Sequence, residues 1–570
     1  MTTHSEKVRI RIILGFLLFS ALILATKLFL VQIVYGKEYT RLADRQYQAH
    51  PKDLVNRGEI YFSDKNGLKI TAATQKEGYI LAINPTQITD APETYDKLAE
   101  IVEIEKADFL KKAVKIDDPY EEVTRRLPEE TAQKVKALNL SGVGVYGERW
   151  RYYPADKLSS HVIGFVGYKD DELGGRYGLE RYYDDNLKRG VYDAYQNFFA
   201  QIFDNVKETI FDYDESLEGE IITSIEPNVA SLLEEELAKT QEKWHASAVG
   251  GIVIDPKTGT IYAMSALPNY DPNTYGTEKS VGVFSNPLVE SVFEVGSIMK
   301  PLTIAAGLDA GAVRPETEYV DRGFVTLDGE TVKNFDGKGR GRIPLQEVLN
   351  QSLNTGAVFV MQRMGKDNFA KYMRLYFDDL TGVDLPGEVH DLTDNLHSPR
   401  EVEYATASFG QGIAVTPISM ARALSALANG GYLMKPHVVK SIRYDFGLEK
   451  ENEPIEQGQV ISETASEEIT RMLVKTVDEA LVGGTVKIPT HSIAAKTGTA
   501  QIADNVNGGY YEDKYLHTFF GYFPAYEPRF LVFLYLEDPR NVRYASETLT
   551  DPFMALTKFL INYYEIPPDR

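Results

Sequence analysis

Residues 293–303 read FEVGSIMKPLT and place a serine and a lysine three positions apart, Ser297 and Lys300. On a helix, residues at this spacing share one face, so the lysine can reach the serine hydroxyl. Pro301 follows, and because proline is tolerated only in the first turn of a helix, a helix is predicted to begin here. A lysine kept neutral by burial could then take the proton of Ser297 and generate a nucleophile.

Alone, this spacing is common and is typical of an ordinary surface helix start. A second pair, Ser352-Leu-Asn354, occurs further along the chain. Its hydroxyl could relay a proton and its amide could hold a substrate carbonyl. The alternative is a simple helix cap, because the apolar segment TGAVFVMQRM follows Asn354 directly.

The string Lys-Thr-Gly-Thr occurs twice, at residues 257–260 and 496–499. The first copy follows Asp-Pro between two apolar runs, which predicts the turn of a β-hairpin. The second lies within an apolar segment, which predicts a strand, and a strand glycine lets a ligand approach the backbone closely. Lys496 there can supply positive charge for a substrate carboxylate, so we take the second copy as functional.

The three motifs together, in this order, resemble those of class B penicillin-binding proteins, which are membrane-anchored peptidoglycan D,D-transpeptidases. The resemblance extends to SIEPNVASLLEEEL, VIDPKTGTIYAMSALPNYDPN and HTFFGYFPA, and to RYYP, HVIGFVG and GLERYYDDNLKRG in the N-terminal half. One departure is that extra residues separate Arg57-Gly58-Glu59-Ile60 from Asp64-Lys65-Asn66-Gly67. Residues 408–417, SFGQGIAVTP, are more similar to the division branch than to the elongation branch.

The resemblance implies an α+β protein with a mixed α/β pedestal domain at 36–240. A transpeptidase domain at 241–570 would follow, with an antiparallel sheet and helices on both of its faces. Independently, the apolar periodicity after Glu226-Pro227 predicts a helix, and the two apolar runs around residues 256–259 predict a β-hairpin.

The resemblance also implies roles for the first two motifs. Ser297 would attack the D-Ala-D-Ala carbonyl of a peptidoglycan stem peptide, and Lys300 would act as the base. Ser352 would pass a proton toward the leaving amine, and Asn354 would position the peptide. β-Lactams would acylate Ser297, and the resemblance implies neither a metal nor a cofactor.

In the third motif, the resemblance implies that Lys496, Thr497 and Thr499 hold the terminal carboxylate. Lys496 counts among the catalytic residues, and Thr497, Gly498 and Thr499 count among the substrate-binding residues. The backbone N–H groups of Ser297 and Thr499 would form the oxyanion hole. The implied partners are lipid-linked nascent glycan, a membrane glycan polymerase and division proteins.

Residues 12–35 form an apolar run that is long enough to cross a bilayer, preceded by Lys7, Arg9 and Arg11. We expect a short cytoplasmic tail at 1–11, a single transmembrane signal anchor at 12–35 and a catalytic domain outside the cytoplasm. A cleaved signal peptide is the alternative, but the run is long for one and no clear cleavage site follows.

Composition excludes several classes of protein. The chain has 83 acidic and 61 basic residues, a net charge of −22, which argues against general nucleic-acid binding. It has no cysteine, which removes thiol catalysis, disulfides and Cys-ligated metals.

Other functions remain open at the level of sequence. A D,D-carboxypeptidase or β-lactamase would use the same serine with water as acceptor. An elongation-type transpeptidase, a non-catalytic β-lactam sensor and an inactive scaffold of the division machinery are further alternatives.

Overall fold

The computed structural model describes residues 56–115, 118–169, 172–189, 218–445, 447–504 and 507–570. The predicted tail 1–11 and membrane span 12–35 lie outside these ranges. Within them, no helix combines the length and the apolar character needed to cross a membrane. The described chain forms two compact units, one of residues 75–150 and one of residues 57–74 together with 151–570.

The smaller unit has three strands and a short set of helices. Its strands are the second half of Lys69–Ile83, Glu121–Leu127 and Val143–Tyr152; its helices are Ala91–Ala99, Lys106–Ala113 and Glu129–Ala137, with a 3-10 turn at Pro85–Gln87. The first two strands pair antiparallel. Leu81, Leu98 and Phe109 are buried in the core of this unit.

The larger unit contains a peripheral sheet built from distant parts of the chain. Its strand order is Glu449–Glu451, Val439–Tyr444, Gly219–Thr223, Ile60–Ser63 and the first half of Lys69–Ile83. Ile60–Ser63 runs parallel to Gly219–Thr223, and the other neighbours are antiparallel. Two fully buried isoleucines, Ile60 and Ile221, lie side by side where the parallel strands meet.

A buried ionic cluster lies beside this sheet. The Glu180 carboxylate, which is fully buried, accepts hydrogen bonds from Arg57 Nε at 2.7 Å and from Arg151 Nε at 2.6 Å. Arg57 also donates to Asp184 at 2.6 Å, and Arg151 donates to the carbonyl of Gly58 at 2.8 Å. The cluster thus joins three segments that are far apart in sequence, at residues 57–58, 151 and 180–184.

The core of the larger unit is a five-stranded antiparallel sheet. Its order is Ala494–Ala503, Tyr510–Phe523, Phe530–Glu537, Ala248–Ile254 and Ile261–Leu267. The predicted hairpin is confirmed, since Ala248–Ile254 and Ile261–Leu267 pair across the turn that contains Gly259. The strand predicted for the second Lys-Thr-Gly-Thr is also confirmed, and it is the edge strand of the sheet.

Both faces of this sheet are covered by helices, as the family resemblance implies. On one face Phe519 stacks on Phe553 with ring centroids 4.4 Å apart. On the opposite face the hydroxyl of Tyr522 lies 2.7 Å from that of Thr470. Because successive side chains of a strand alternate between faces, a strand covered on both sides is expected to be largely apolar. The buried segment 516–523 is so except for His517 and Thr518, whose side chains are hydrogen-bonded.

The helices of the larger unit lie around the two sheets. They are Ser160–Ile163, Gly178–Tyr182, Asp184–Leu187, Pro227–Trp244, Pro287–Glu290, Lys300–Asp309, Gln346–Asn350, Asn354–Met364, Lys366–Phe377, Glu401–Ala407, Pro417–Ala428, Glu463–Glu479, Ala545–Thr548 and Thr550–Tyr563. Single 3-10 turns occur at Tyr275–Thr277, Val281–Phe284, Gly296–Met299, Asp394–His397 and Leu481–Gly484. The helix predicted after Glu226 is confirmed as Pro227–Trp244, with the Glu226 carboxylate capping the N–H of Val229 at 2.7 Å.

Short strand pairs complete the larger unit. They are Val166–Lys169 with Glu172–Gly175, Glu318–Asp321 with Gly341–Pro344, Phe324–Leu327 with Glu330–Lys333, and Tyr432–Met434 with Glu456–Gln459.

The buried cluster generates a stability prediction. Glu180→Gln removes the buried carboxylate that bonds to both Arg57 and Arg151 and should lower the free energy of unfolding by roughly 3–5 kcal/mol. Denaturant unfolding of the two proteins measures the difference. The control is Glu235→Gln, whose carboxylate pairs with Lys239 on the surface with both side chains 58% exposed. It should change stability by less than about 1 kcal/mol. Equal effects of the two substitutions would contradict the prediction.

Candidate active site

The first motif forms a tight turn that continues into a helix. Ser297 lies in the 3-10 turn Gly296–Met299, and helix Lys300–Asp309 follows at once. The predicted helix start at this point is therefore confirmed. A residue before proline usually avoids helical angles, yet Lys300 has φ −56° and ψ −40°. This keeps its side chain one turn below Ser297, inside the protein.

Lys300 lies at the centre of the candidate site. Its side chain is fully buried. Its Nζ lies 3.0 Å from Ser297 Oγ, 3.2 Å from Ser352 Oγ and 2.6 Å from the Ser352 carbonyl oxygen. Burial, with a further contribution from the nearby charge of Lys496, holds the pKa of Lys300 well below its usual value. A neutral amine can accept a proton from a serine hydroxyl, so this arrangement suits a general base.

The second motif meets the first through Ser352. Ser352 has φ +53°, a left-handed conformation that non-glycine residues seldom adopt. Helix Asn354–Met364 begins directly after it, but the Asn354 side chain does not cap that helix. Instead its amide donates to the Lys333 carbonyl oxygen at 2.9 Å, and the residue lines the same cavity as Ser297. The helix-cap alternative for Asn354 is therefore wrong, because the side chain points to a neighbouring hairpin.

The third motif lies on the sheet edge beside both serines. Lys496 Nζ donates to Ser352 Oγ at 3.1 Å and to the Thr497 carbonyl oxygen at 2.9 Å. Burial lowers the pKa of Lys496 to about 7. The Lys496 side chain can thus be either a neutral amine or a cationic ammonium near neutral pH, and the ammonium is suited to a substrate carboxylate.

Glycine is required where the strand passes the nucleophile turn. A Cβ added to Gly498 would lie 2.3 Å from Thr518 Oγ1 and 2.7 Å from the Val295 carbonyl oxygen. Gly296, with φ +64°, approaches the backbone of Thr499 equally closely. These contacts place the main chain at Ser297 next to the main chain at Thr499.

The three motifs open onto one cavity of about 630 Å³. Ser297, Ser352, Asn354, Lys496, Thr497 and Thr499 line it, whereas Lys300 lies buried beneath them. Thr499 Oγ1 also accepts a hydrogen bond at 3.2 Å from the backbone N–H of Ala545. The eight residues singled out in the sequence therefore belong to one region. Six of them line the cavity, Lys300 lies beneath it, and Gly498 lies between the lining residues Thr497 and Thr499.

Sequence reasoning missed several lining residues. They are Phe335, Phe409, Gln411, Gln501, Tyr515, Arg543, Tyr544 and Ser546, with Lys333 beside Asn354. They come from separate loops and strands and share no spacing. Only Phe409 and Gln411 fall in a segment that the sequence analysis had marked, residues 408–417.

The first Lys-Thr-Gly-Thr copy lies elsewhere. Lys257 is in the hairpin turn, about half exposed, and its Nζ lies 3.3 Å from Glu527 Oε2. It does not line the catalytic cavity. The two identical strings thus occupy a solvent-exposed turn and a buried edge strand.

The fold and the site define a serine acyltransferase of the penicillin-recognising type. Residues 249–556 match the family described as the penicillin-binding protein transpeptidase domain, and residues 52–217 match the penicillin-binding protein dimerisation domain. The chain belongs to the penicillin-binding protein transpeptidase family.

Named relatives agree with this membership. Stage V sporulation protein D of Bacillus subtilis is 32% identical, over 94% of this chain and 82% of that protein. The probable peptidoglycan D,D-transpeptidase PenA of Neisseria gonorrhoeae is 27% identical, over 96% of this chain and 91% of that one.

Solved structures share the fold. Penicillin-binding protein 2X from Streptococcus thermophilus has a TM-score of 0.72 at 20% identity, covering 90% of this chain and 81% of that chain. Penicillin-binding protein 3 from Mycobacterium tuberculosis, in complex with aztreonam, has a TM-score of 0.67 at 21% identity, covering 91% and 98%.

The two Lys-Thr-Gly-Thr copies allow a matched comparison. Lys496→Ala removes a buried cation from the cavity and should reduce the rate of penicillin acylation by roughly 10²–10³-fold. Lys257→Ala removes an exposed surface charge and should leave the rate within about twofold. Acylation rates of both variants, with thermal melting curves to confirm folding, measure the effects. A large loss in Lys257→Ala without unfolding would contradict the assignment.

The pKa shifts predict a bell-shaped pH profile for acylation. Lys300 must be neutral to act as base, so efficiency should fall as the pH drops below its lowered pKa. Lys496 must be protonated to bind a carboxylate, so efficiency should also fall as the pH rises above about 7. Second-order rate constants for acylation, measured across the pH range, report the pKa values of Lys300 and Lys496 in the free enzyme.

The control for the alkaline limb is Lys496→Arg. A guanidinium keeps its proton throughout this range, so the fall above neutral pH should disappear even if the overall rate is lower. A wild-type profile that keeps rising into alkaline solution would contradict the requirement for a cationic Lys496.

Proposed function

We propose that this protein cross-links peptidoglycan by serine acyl transfer from D-Ala-D-Ala stem peptides. The observation that carries the proposal is the buried amine of Lys300, placed 3.0 Å from Ser297 Oγ and 3.2 Å from Ser352 Oγ. Membership of the transpeptidase family and the names of the relatives support the choice of substrate.

In the acylation step, Lys300 takes the proton of the Ser297 hydroxyl as the oxygen attacks the D-Ala-D-Ala carbonyl. A tetrahedral oxyanion forms, and the backbone N–H groups of Ser297 and Thr499 stabilise it. The close approach of Gly296 to the Thr499 backbone supports this pairing of donors.

Collapse of the intermediate breaks the peptide bond and forms the Ser297 ester. The leaving amine of the terminal D-Ala takes a proton from Ser352, which is replenished from Lys300. Ser352 Oγ lies between the two lysines, 3.2 Å from Lys300 Nζ and 3.1 Å from Lys496 Nζ, which supports this relay.

Residues that line the cavity position the substrate. Lys496, Thr497 and Thr499 bind the terminal carboxylate, Gly498 lets the peptide approach the edge strand, and Asn354 orients the peptide amide. An amine from a neighbouring stem then attacks the ester, returns the proton to Ser297 through the same groups and completes the cross-link.

The cellular setting follows from the sequence. We assign residues 12–35 to a single-pass anchor with residues 1–11 cytoplasmic, 36–240 to the pedestal and 241–570 to the extracytoplasmic transpeptidase domain. A membrane glycan polymerase and division proteins are the partners. Septal synthesis is favoured by the segment 408–417 and by relatives that include probable FtsI of Caulobacter vibrioides, 28% identical over 85% of this chain.

Labelling of the full chain in detergent with a fluorescent penicillin tests the function. We expect a covalent adduct on intact-mass analysis that is absent in Ser297→Ala. Lys300→Met keeps the volume of the buried side chain but removes the base, and should slow acylation by roughly 10²–10⁴-fold. No adduct on a folded wild-type protein would favour a scaffold role, and an adduct without peptide turnover would favour a sensor.

A further inference from the structure

The charged side chains that line the catalytic cavity all carry positive charge. They are Lys333, Lys496 and Arg543, and no carboxylate lines the cavity among the described residues. The chain as a whole contains 83 acidic and 61 basic residues, so an arbitrary set of lining residues would be expected to include carboxylates. The charged lining residues of the cavity therefore favour an anionic ligand, although the protein as a whole is acidic.

Two of these three cations have no partner within the described part of the chain. Lys496 is buried and bonded to Ser352 and Thr497, whereas Lys333 and Arg543 are exposed. Neither has an ion pair or a side-chain hydrogen bond in that part, and the Arg543 guanidinium only packs against the Tyr544 ring at 5.6 Å. Both charges are thus available to a ligand.

The carboxylates closest to Lys333 in sequence are already engaged. Asp336 forms an ion pair with Arg340 at 2.8 Å. Glu330 lies 3.9 Å from Arg400. The Lys333 ammonium consequently faces the cavity without a local counter-charge.

An aromatic contact joins the segments that carry the two free cations. Phe335, two residues after Lys333, meets Tyr544, the neighbour of Arg543, edge to face with ring centroids 5.9 Å apart. Both rings are partly exposed, at 47% and 37%. The contact brings together two cavity-lining segments, each of which carries one of the two cations.

Each of these segments is also tied to a substrate-binding group. The Lys333 carbonyl oxygen accepts the Asn354 amide at 2.9 Å. Next to Tyr544, the Ala545 N–H donates to Thr499 Oγ1 at 3.2 Å. The two cations therefore lie within a few residues of the groups proposed to hold the peptide.

We infer that Lys333 and Arg543 form an anion subsite for a second carboxylate of the stem peptide, on a residue that precedes D-Ala-D-Ala. The inference rests on the proposed transpeptidase function. Lys496 is used by the terminal carboxylate, which departs with the released D-Ala. A carboxylate further along the peptide remains on the acyl chain, so this subsite holds the acyl-enzyme as well as the substrate. The substrate class is a stem peptide with a free, non-amidated internal carboxylate.

The exposure of the Lys333 and Arg543 side chains limits how strongly the subsite can favour a substrate with the internal carboxylate. Solvent-exposed ion pairs contribute modestly and are screened by salt. A preference of roughly fivefold to tenfold for the carboxylate substrate is expected at about 0.1 M salt, declining toward about 1 M.

The experiment uses full-length protein and two pentapeptides ending in D-Ala-D-Ala. They differ only in a free α-carboxylate or a carboxamide on the second residue. Intact-mass analysis measures the acylation rate of Ser297 with each peptide, and the readout is the ratio of the two rates. Ratios are compared in wild type, Lys333→Gln with Arg543→Gln, and Lys338→Gln, an exposed lysine of the same segment that does not line the cavity.

We expect a ratio of roughly fivefold or more in wild type and in Lys338→Gln, falling to about one in the double variant. Restoring positive charge with Lys333→Arg in place of Lys333→Gln should recover part of the preference. Equal rates in wild type, or a preference that persists in the double variant, would overturn the subsite. Failure of both peptides and of penicillin to acylate wild-type Ser297 would instead overturn the proposed function, and the subsite with it.

Discussion

The site depends on one buried amine. Lys300 is fully buried, and because transfer of a charged ammonium out of water is unfavourable, burial lowers its pKa and shifts the equilibrium toward the neutral amine. The neutral amine has a lone pair for a serine proton, and two serine hydroxyls lie within 3.2 Å of it. Burial thus makes this lysine suited to the role of base that we propose for it. The helices and strands around it keep water away and hold the hydroxyls in place.

The edge strand of the central sheet is the second constraint. Among the described residues, strand Ala494–Ala503 pairs with a single neighbouring strand, so its other side is free to face the turn that contains Ser297. Gly498 and Gly296 allow that approach, because a side chain at either position would collide with backbone or with Thr518. A peptide substrate can therefore lie between the nucleophile and a strand of the protein itself.

The positive charge of the cavity is distributed in two layers. Lys300 and Lys496 are buried and share Ser352. Burial lowers the pKa of both lysines, and the charge of Lys496 lowers the pKa of Lys300 further. Lys333 and Arg543 are exposed. The inner pair suits proton transfer and the terminal carboxylate, and the outer pair suits recognition of the rest of the peptide.

Much of the local structure was readable from residues alone. Pro301 predicted the helix start, Glu226-Pro227 predicted helix Pro227–Trp244, and the apolar runs predicted the hairpin and the edge strand. The context of each Lys-Thr-Gly-Thr copy distinguished a turn from a strand. These features depend on φ restriction, side-chain periodicity and turn chemistry, all of which act over a few residues.

Tertiary structure alone decided which side chains lie next to one another in the cavity. Ser352 is 52 residues from Lys300, and Lys496 is 144 residues from Ser352, yet all three side chains are in contact. Asn354 looked like a cap, but its amide bonds to the Lys333 carbonyl on a hairpin that no local pattern connects with it. Arg543 and Phe335 carry no motif. Their place in the cavity comes from packing between distant segments, which short-range sequence signals do not encode.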